Sequence, residues 1–156
     1  MENTKYPIGI LAPVSGWVIP LETVEDTVFS RKLLGDGIAL VPEEGTIYSP
    51  VDGIVETIFP TLHAYTFSSR QGQQILVHVG LGTIALEAEG FRCFVQPGDT
   101  VKAGQPIGEV DLALLKARNL DTVTMLTLCE GAEGLSLIAA SGCVNGGEDT
   151  VLNLCC

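Results

Sequence analysis

Glycine and proline interrupt this chain too often for long helices. Eighteen glycines and eight prolines are spread evenly over 156 residues. The apolar runs between them are short: Gly16-Trp17-Val18-Ile19-Pro20, Ile38-Ala39-Leu40-Val41-Pro42 and Gly53-Ile54-Val55-Glu56-Thr57-Ile58. Both residues weaken helices, and short apolar runs that they bound read as strands joined by tight turns. Only Leu112 to Arg118 and Gly134 to Ala140 carry a brief helical spacing. The pattern predicts an all-β fold, an antiparallel β-sandwich or barrel-sandwich hybrid with one or two short helices.

A weak internal repeat refines this. Ala12-Pro13-Val14-Ser15-Gly16-Trp17-Val18 is matched by Ser49-Pro50-Val51-Asp52-Gly53-Ile54-Val55, each a proline-led turn into a strand. A third hairpin-like stretch runs over Gln96-Pro97-Gly98-Asp99-Thr100-Val101-Lys102-Ala103-Gly104-Gln105-Pro106-Ile107-Gly108. Duplicated β-units of this kind build a sandwich from two related halves. No stretch reads as a linker, and 46% hydrophobic content with a mean hydropathy of +0.37 suits one core. Residues 1–156 therefore read as one domain. Gly35-Asp36-Gly37 is too short, and lacks the lysine, for a phosphate-cradling loop; it reads as a tight turn.

The chain has only two histidines, His63 and His78. Leu62 to Ser68 and Gln73 to Val79 both read as strands, with Ser69-Arg70-Gln71-Gly72 as the turn. Folding back at Arg70-Gln71 pairs Ser69 with Gly72, Phe67 with Gln74, Tyr65 with Leu76, and His63 with His78. Opposed residues have Cβ atoms about 4.5–5.5 Å apart, so the two imidazoles would share a surface patch. A one-residue slip in register would put them on opposite faces.

The formal charge of −11 makes nucleic acid a poor partner, since phosphate binding needs clustered Lys and Arg. It suits a basic protein partner, and equally suits plain solubility. No apolar run approaches the ~18 residues of a membrane span. The start, Met1-Glu2-Asn3-Thr4-Lys5-Tyr6, lacks the pattern of a secretory signal. Five cysteines, an odd number at irregular spacing, read as reduced thiols in a cytoplasm.

On the residues alone, three readings of the histidines stay open. They are a catalytic pair, two unrelated strand residues, or part of a metal site. Neutral imidazole is a good phosphoryl nucleophile near pH 7, and phosphoryl transfer asks mainly for positioning and charge stabilisation. Two histidines are too few for a closed tetrahedral zinc site.

Motifs along nearly the whole chain decide among these readings. Ala12-Pro13-Val14-Ser15-Gly16, Gly35-Asp36-Gly37-Ile38-Ala39, Ser49-Pro50-Val51-Asp52-Gly53, Thr61-Leu62-His63-Ala64, Val77-His78-Val79-Gly80 and Glu89-Gly90-Phe91 appear in order. Together they resemble the glucose-type IIA component of the bacterial sugar phosphotransferase system. The resemblance implies a β-sandwich with a shallow active-site depression. It implies that His78 accepts a phosphoryl group from the carrier protein HPr and passes it to a IIB domain, with His63 in support. It also implies that Thr61 hydrogen-bonds the histidine pair, and that Phe29, Phe59 and Leu76 bind partners as apolar residues. Asp26 would face an arginine of the carrier. No resident cofactor is implied beyond the phosphoryl group itself. Family members do share zinc with a partner's carboxylate, which would place such an ion at His63 and His78.

One departure stands out. The family's His-x-Gly-x-Asp-Thr is here His78-Val79-Gly80-Leu81-Gly82-Thr83, so Gly82 replaces a rim carboxylate. This keeps a second function in view, a non-catalytic regulatory module that binds target proteins with the same fold. The hairpins also resemble biotinyl and lipoyl carriers, but the modifiable Met-Lys-Met or Asp-Lys-Ala triplet is missing. The histidine set of LytM-type zinc peptidases is missing too.

Overall fold

The computed structural model describes residues 6–156. Residues 1–5, which hold most of the start read above as lacking a secretory signal, lie outside the described residues. The strands are β1 (Ile8–Leu11), β2 (Gly16–Pro20), β3 (Asp36–Pro42), β4 (Thr46–Tyr48), β5 (Gly53–Ile58), β6 (Ala64–Ser69), β7 (Gln74–Leu81), β8 (Phe91–Cys93), β9 (Thr100–Val101), β10 (Pro106–Val110), β11 (Asp121–Glu130), β12 (Ser136–Ala139), β13 (Gly142–Val144) and β14 (Thr150–Cys155). Two short helices, α1 (Thr27–Ser30) and α2 (Leu112–Ala117), interrupt them. The large sheet runs β13-β2-β3-β11-β7-β6-β5-β9, and two three-stranded sheets, β1-β14-β12 and β4-β10-β8, accompany it. All pairings are antiparallel. This is the antiparallel β-sandwich that the glycine and proline spacing predicts.

The repeat is visible as backbone hydrogen bonds. Tyr48 N–H donates to the Pro13 carbonyl at 2.8 Å, and Leu11 N–H donates to the Pro50 carbonyl at 3.0 Å. The two bonds exchange under the same sequence offset that aligns the repeats. A second pair shares only its acceptors with the repeat: the Ser15 carbonyl accepts from Glu43 N–H, and its counterpart, the Asp52 carbonyl, from Arg70 N–H. Each repeat therefore turns into its strand, β2 or β5, by the same route, and the two turns brace each other.

Strand β11 explains why there are two apolar layers. It is buried continuously from Thr122 to Leu128, with both faces covered. Leu126 and Leu128 point into the main core with Tyr65, Phe67, Ile75 and Val77. Val123 and Met125 point the other way, into a smaller core with Leu21, Phe29, Ala39 and Leu76, covered by α1 and the turn before it. The second layer is the floor of the histidine site.

Three expectations need correction. Gly134 to Ala140 is not helical. Its centre forms β12, because β14 offers an open ladder and pairs Leu137 with Leu154 and Ile138 with Asn153. Leu137 then packs on the main core while Ile138 points outward, 56% exposed. The apolar pair that suggests a helix serves a two-residue period instead. The hairpin register is also shifted by one. The structure pairs Phe67 with Ile75, Tyr65 with Val77 and Ala64 with His78. Gly72 is the cause: at φ 99° it sits inside the loop and not beyond it, so Ser69 N–H reaches the Gln73 carbonyl at 2.9 Å. The tight turn expected over Gly35-Asp36-Gly37 lies earlier: Gly35 N–H closes it on the Lys32 carbonyl at 3.1 Å, and Asp36 and Gly37 already belong to β3.

Candidate active site

The shifted register ought to separate the histidines, yet it does not. His78 lies on β7, and directly opposite it stands Ala64, whose side chain is only a methyl group. His63 comes one residue before β6, after Leu62 with its left-handed φ of 60°. It is held to the ladder only by its carbonyl, which accepts from Val79 N–H at 2.7 Å. Outside the strand the alternation of faces no longer binds it, and its ring leans into the space above Ala64. The two imidazole centroids are 4.7 Å apart, edge to face at 81°.

Each ring is buttressed. Thr61 Oγ1 and His63 Nδ1 are 2.6 Å apart, a short hydrogen bond. The Phe59 ring meets His63 edge-on at 5.5 Å, and the Phe29 ring packs against His78 at 5.0 Å. Such aromatic contacts fix ring orientation as well as excluding water. Nδ1 of His78 is buried against the Gly80 backbone, so the ring's open nitrogen is Nε2.

Burial decides the charge state. His63 is held below its ordinary value by desolvation. His78 is pushed from 6.5 down to about 4, first by desolvation and then by the neighbouring His63. The Gly80 backbone and the Asp26 carboxylate act in the opposite sense and do not prevail. His63 shows less surface than His78. The stronger desolvation nonetheless acts on His78, because protein surrounds its ring on more sides. Both rings are therefore neutral at physiological pH, which a histidine nucleophile requires.

These shifts carry a stability prediction. A histidine whose folded value is depressed binds protons more readily when unfolded. The fold is therefore free of this penalty above about pH 6.5 and is progressively destabilised as pH falls toward about 4. Thermal melts across that range should show the midpoint falling, and His78→Gln should flatten the fall. An equally steep fall in the variant would show that other groups drive it.

The remaining sequence candidates fall as follows. Asp26 caps α1, its Oδ1 accepting from Val28 N–H at 2.9 Å, and its charge reaches His78. Phe59 is half-buried, whereas Phe29 and Leu76 are only 4% and 5% exposed. Those two form the floor of the site and offer a partner little surface. The sequence reading misses the apolar residues that are exposed on the same elements and loops: Val28 on α1, Leu33 and Leu34 after it, and Ile84 beyond β7. Their signal is an apolar side chain inside a polar turn, which no periodicity picks out.

Comparison with known proteins now bears on this geometry. The family model for the phosphoenolpyruvate-dependent sugar phosphotransferase system, EIIA 1, matches residues 8–133. The chain belongs to this family. It is 39% identical over 153 residues to the glucose-specific EIIA component of Haemophilus influenzae, covering 98% of this chain and 92% of that one. It is 45% identical over 121 residues to the glucose-specific EIICBA component of Staphylococcus saprophyticus, covering 78% of this chain but only 18% of that larger protein. The glucose permease IIA of Mycoplasma capricolum superposes with a TM-score of 0.87 at 34% identity, over 96% of both chains. This IIA domain is thus a phosphotransferase that relays a phosphoryl group through histidine toward a IIB domain. Among its described residues no helix is long and apolar enough to cross a membrane.

Proposed function

We propose that His78 is the phosphoacceptor, that HPr is the donor, and that His63 and Thr61 support transfer to the IIB domain in the cytoplasm. The observation that carries this is the neutral, edge-to-face imidazole pair at 4.7 Å, braced by the 2.6 Å contact from Thr61. With His78 Nδ1 buried, the Nε2 lone pair is the one open to phosphorus. The phosphoryl group moves from the donor's nitrogen to Nε2: one P–N bond breaks as the other forms. If Thr61 donates to His63 Nδ1, the proton of His63 resides on Nε2. That N–H then donates to a phosphoryl oxygen, a charge-assisted bond of the stronger kind. Incubation with enzyme I, HPr and phosphoenolpyruvate should add the mass of one phosphoryl group, and a peptide map should place it on His78.

The residues present do not by themselves make a zinc site. Among the described residues no cluster of three or more His, Cys, Asp or Glu side chains gathers. An ion at His63 and His78 would depend on carboxylates from a partner, and no step of the transfer is assigned to one.

A regulatory reading is favoured only by Gly82, and the backbone there sharpens the test. Gly82 sits at φ 74°, ψ 6°, just ahead of the 3₁₀ helix Thr83–Leu86. An added Cβ would meet only Leu120 Cδ2, at 3.4 Å. Asp in this left-handed conformation costs about 1 kcal/mol, which should lower the melting midpoint by about 2–4 °C. The new carboxylate should raise the association rate with HPr at low salt, and the gain should shrink within a Debye length of about 10 Å at 0.1 M salt. Stopped-flow association at two ionic strengths measures this. An unchanged rate at both would mean that Gly82 leaves docking intact.

A further inference from the structure

We propose that the exposed strip around Trp17 belongs to the surface on which this IIA domain receives the IIB domain of its permease. The proposal rests on the reading of His78 as the phosphoacceptor and extends it to a specificity-determining contact.

The large sheet sets the geometry. Across four strands, Ile19, Ala39, Met125 and His78 stand in one row. Ile19, Ala39 and Met125 all belong to the second apolar layer, so this row shares the face of the histidine site. Side chains two residues along a strand return to the same face. Trp17 and Val41 are therefore on the face of His78, and Cys143 on β13 pairs beside Trp17. Their in-between neighbours Val18, Leu40 and Val144 point the other way, into the main core.

The outward face of such a sheet is ordinarily polar. Here Trp17 is 52% and Val41 44% exposed, with the Cys143 thiol exposed next to them. This apolar strip crosses three adjacent strands. Glu43 borders it, its Oε1 3.6 Å from the Cys143 thiol, and Glu44, next along the chain, is exposed.

Distance and established function name the occupant. Three strand spacings of about 4.8 Å and two residues of about 3.3 Å put Trp17 about 16 Å from His78. A standard interface covers about 800 Å² per partner, a disc of about 16 Å radius. A domain that takes the phosphoryl group from His78 across such an interface therefore reaches Trp17 at its edge. The IIB domain is the partner that the family's relay requires. Its matching surface should present an apolar side chain bordered by Lys or Arg, to meet the indole and the two glutamates.

Trp17 is the chain's single tryptophan, so it reports on itself. Titrating the IIB domain of the cognate permease, with Trp17→Phe as the fluorescence blank, should shift the Trp17 emission to the blue and saturate. Trp17→Ala should raise KM for IIB in the transfer assay about tenfold with kcat little changed, the loss common on truncating an interface tryptophan. Uptake from HPr should be unchanged, and Trp17→Phe should restore most of the KM. Transfer to IIB without a change in emission would overturn the proposal. So would a shift caused by HPr alone, or by raising the protein's own concentration, which would mark a carrier site or a self-contact. Failure of the phosphoacceptor reading shows separately, as a missing phosphoryl group on His78 before any IIB is added.

Discussion

Replacing His78 by glutamine is expected to abolish phosphoryl uptake from HPr, from one group per chain to none. The glutamine amide keeps much of the imidazole's reach, but its nitrogen lone pair is delocalised into the carbonyl and cannot attack phosphorus. The fold should tolerate the change. The ring is partly open to solvent, and the glutamine amide N–H can take over the contact with the Gly80 backbone. Removing a desolvated histidine also removes a source of acid destabilisation, so the variant should melt at or above the parent below about pH 6. Intact mass after incubation with enzyme I, HPr and phosphoenolpyruvate is the direct readout. A phosphoryl group on the variant at the parent's level would mean that His63 or another side chain is the acceptor.

The repeat and the all-β class were legible because they rest on glycine and proline positions, which are local. The site was legible through a different route. Placing the histidines opposite each other needed a register, and the register read from the turn was off by one. Gly72 takes an extra place in the loop, and a one-residue loop change is invisible to strand periodicity. The histidines meet all the same because His63 lies just outside β6 and Ala64 is small enough to lean over. Neither fact follows from a two-residue period. Helix α1 has only four residues, too few to show a helical repeat, yet it carries Asp26's cap and Phe29's ring. The second apolar layer was hidden for a related reason. The continuously buried β11 reads as one apolar run, and a run does not tell which of its residues face which core.

His63→Gln should separate the two halves of the relay. Uptake onto His78 should persist, while transfer onward to the IIB domain should fall by about 10²–10³, the usual loss when one donor to developing charge is removed. Thr61 sets which nitrogen of His63 carries the proton. Its hydroxyl contact occupies His63 Nδ1 and leaves Nε2 as the ring's free nitrogen beside His78, where a proton can follow charge on the phosphoryl oxygens. Thr61→Val should remove that tautomer control without removing the imidazole, so the loss should be smaller, about tenfold. It should also change the pH profile of onward transfer, because His63 would then exchange tautomers and protonate more freely. Thr61→Ser should restore both rate and profile. If Thr61→Val lowers the rate with no change in pH dependence, the hydroxyl serves packing alone. If His63→Gln instead blocks uptake, His63 takes part in the first transfer, and the two histidines share the incoming phosphoryl group from the start.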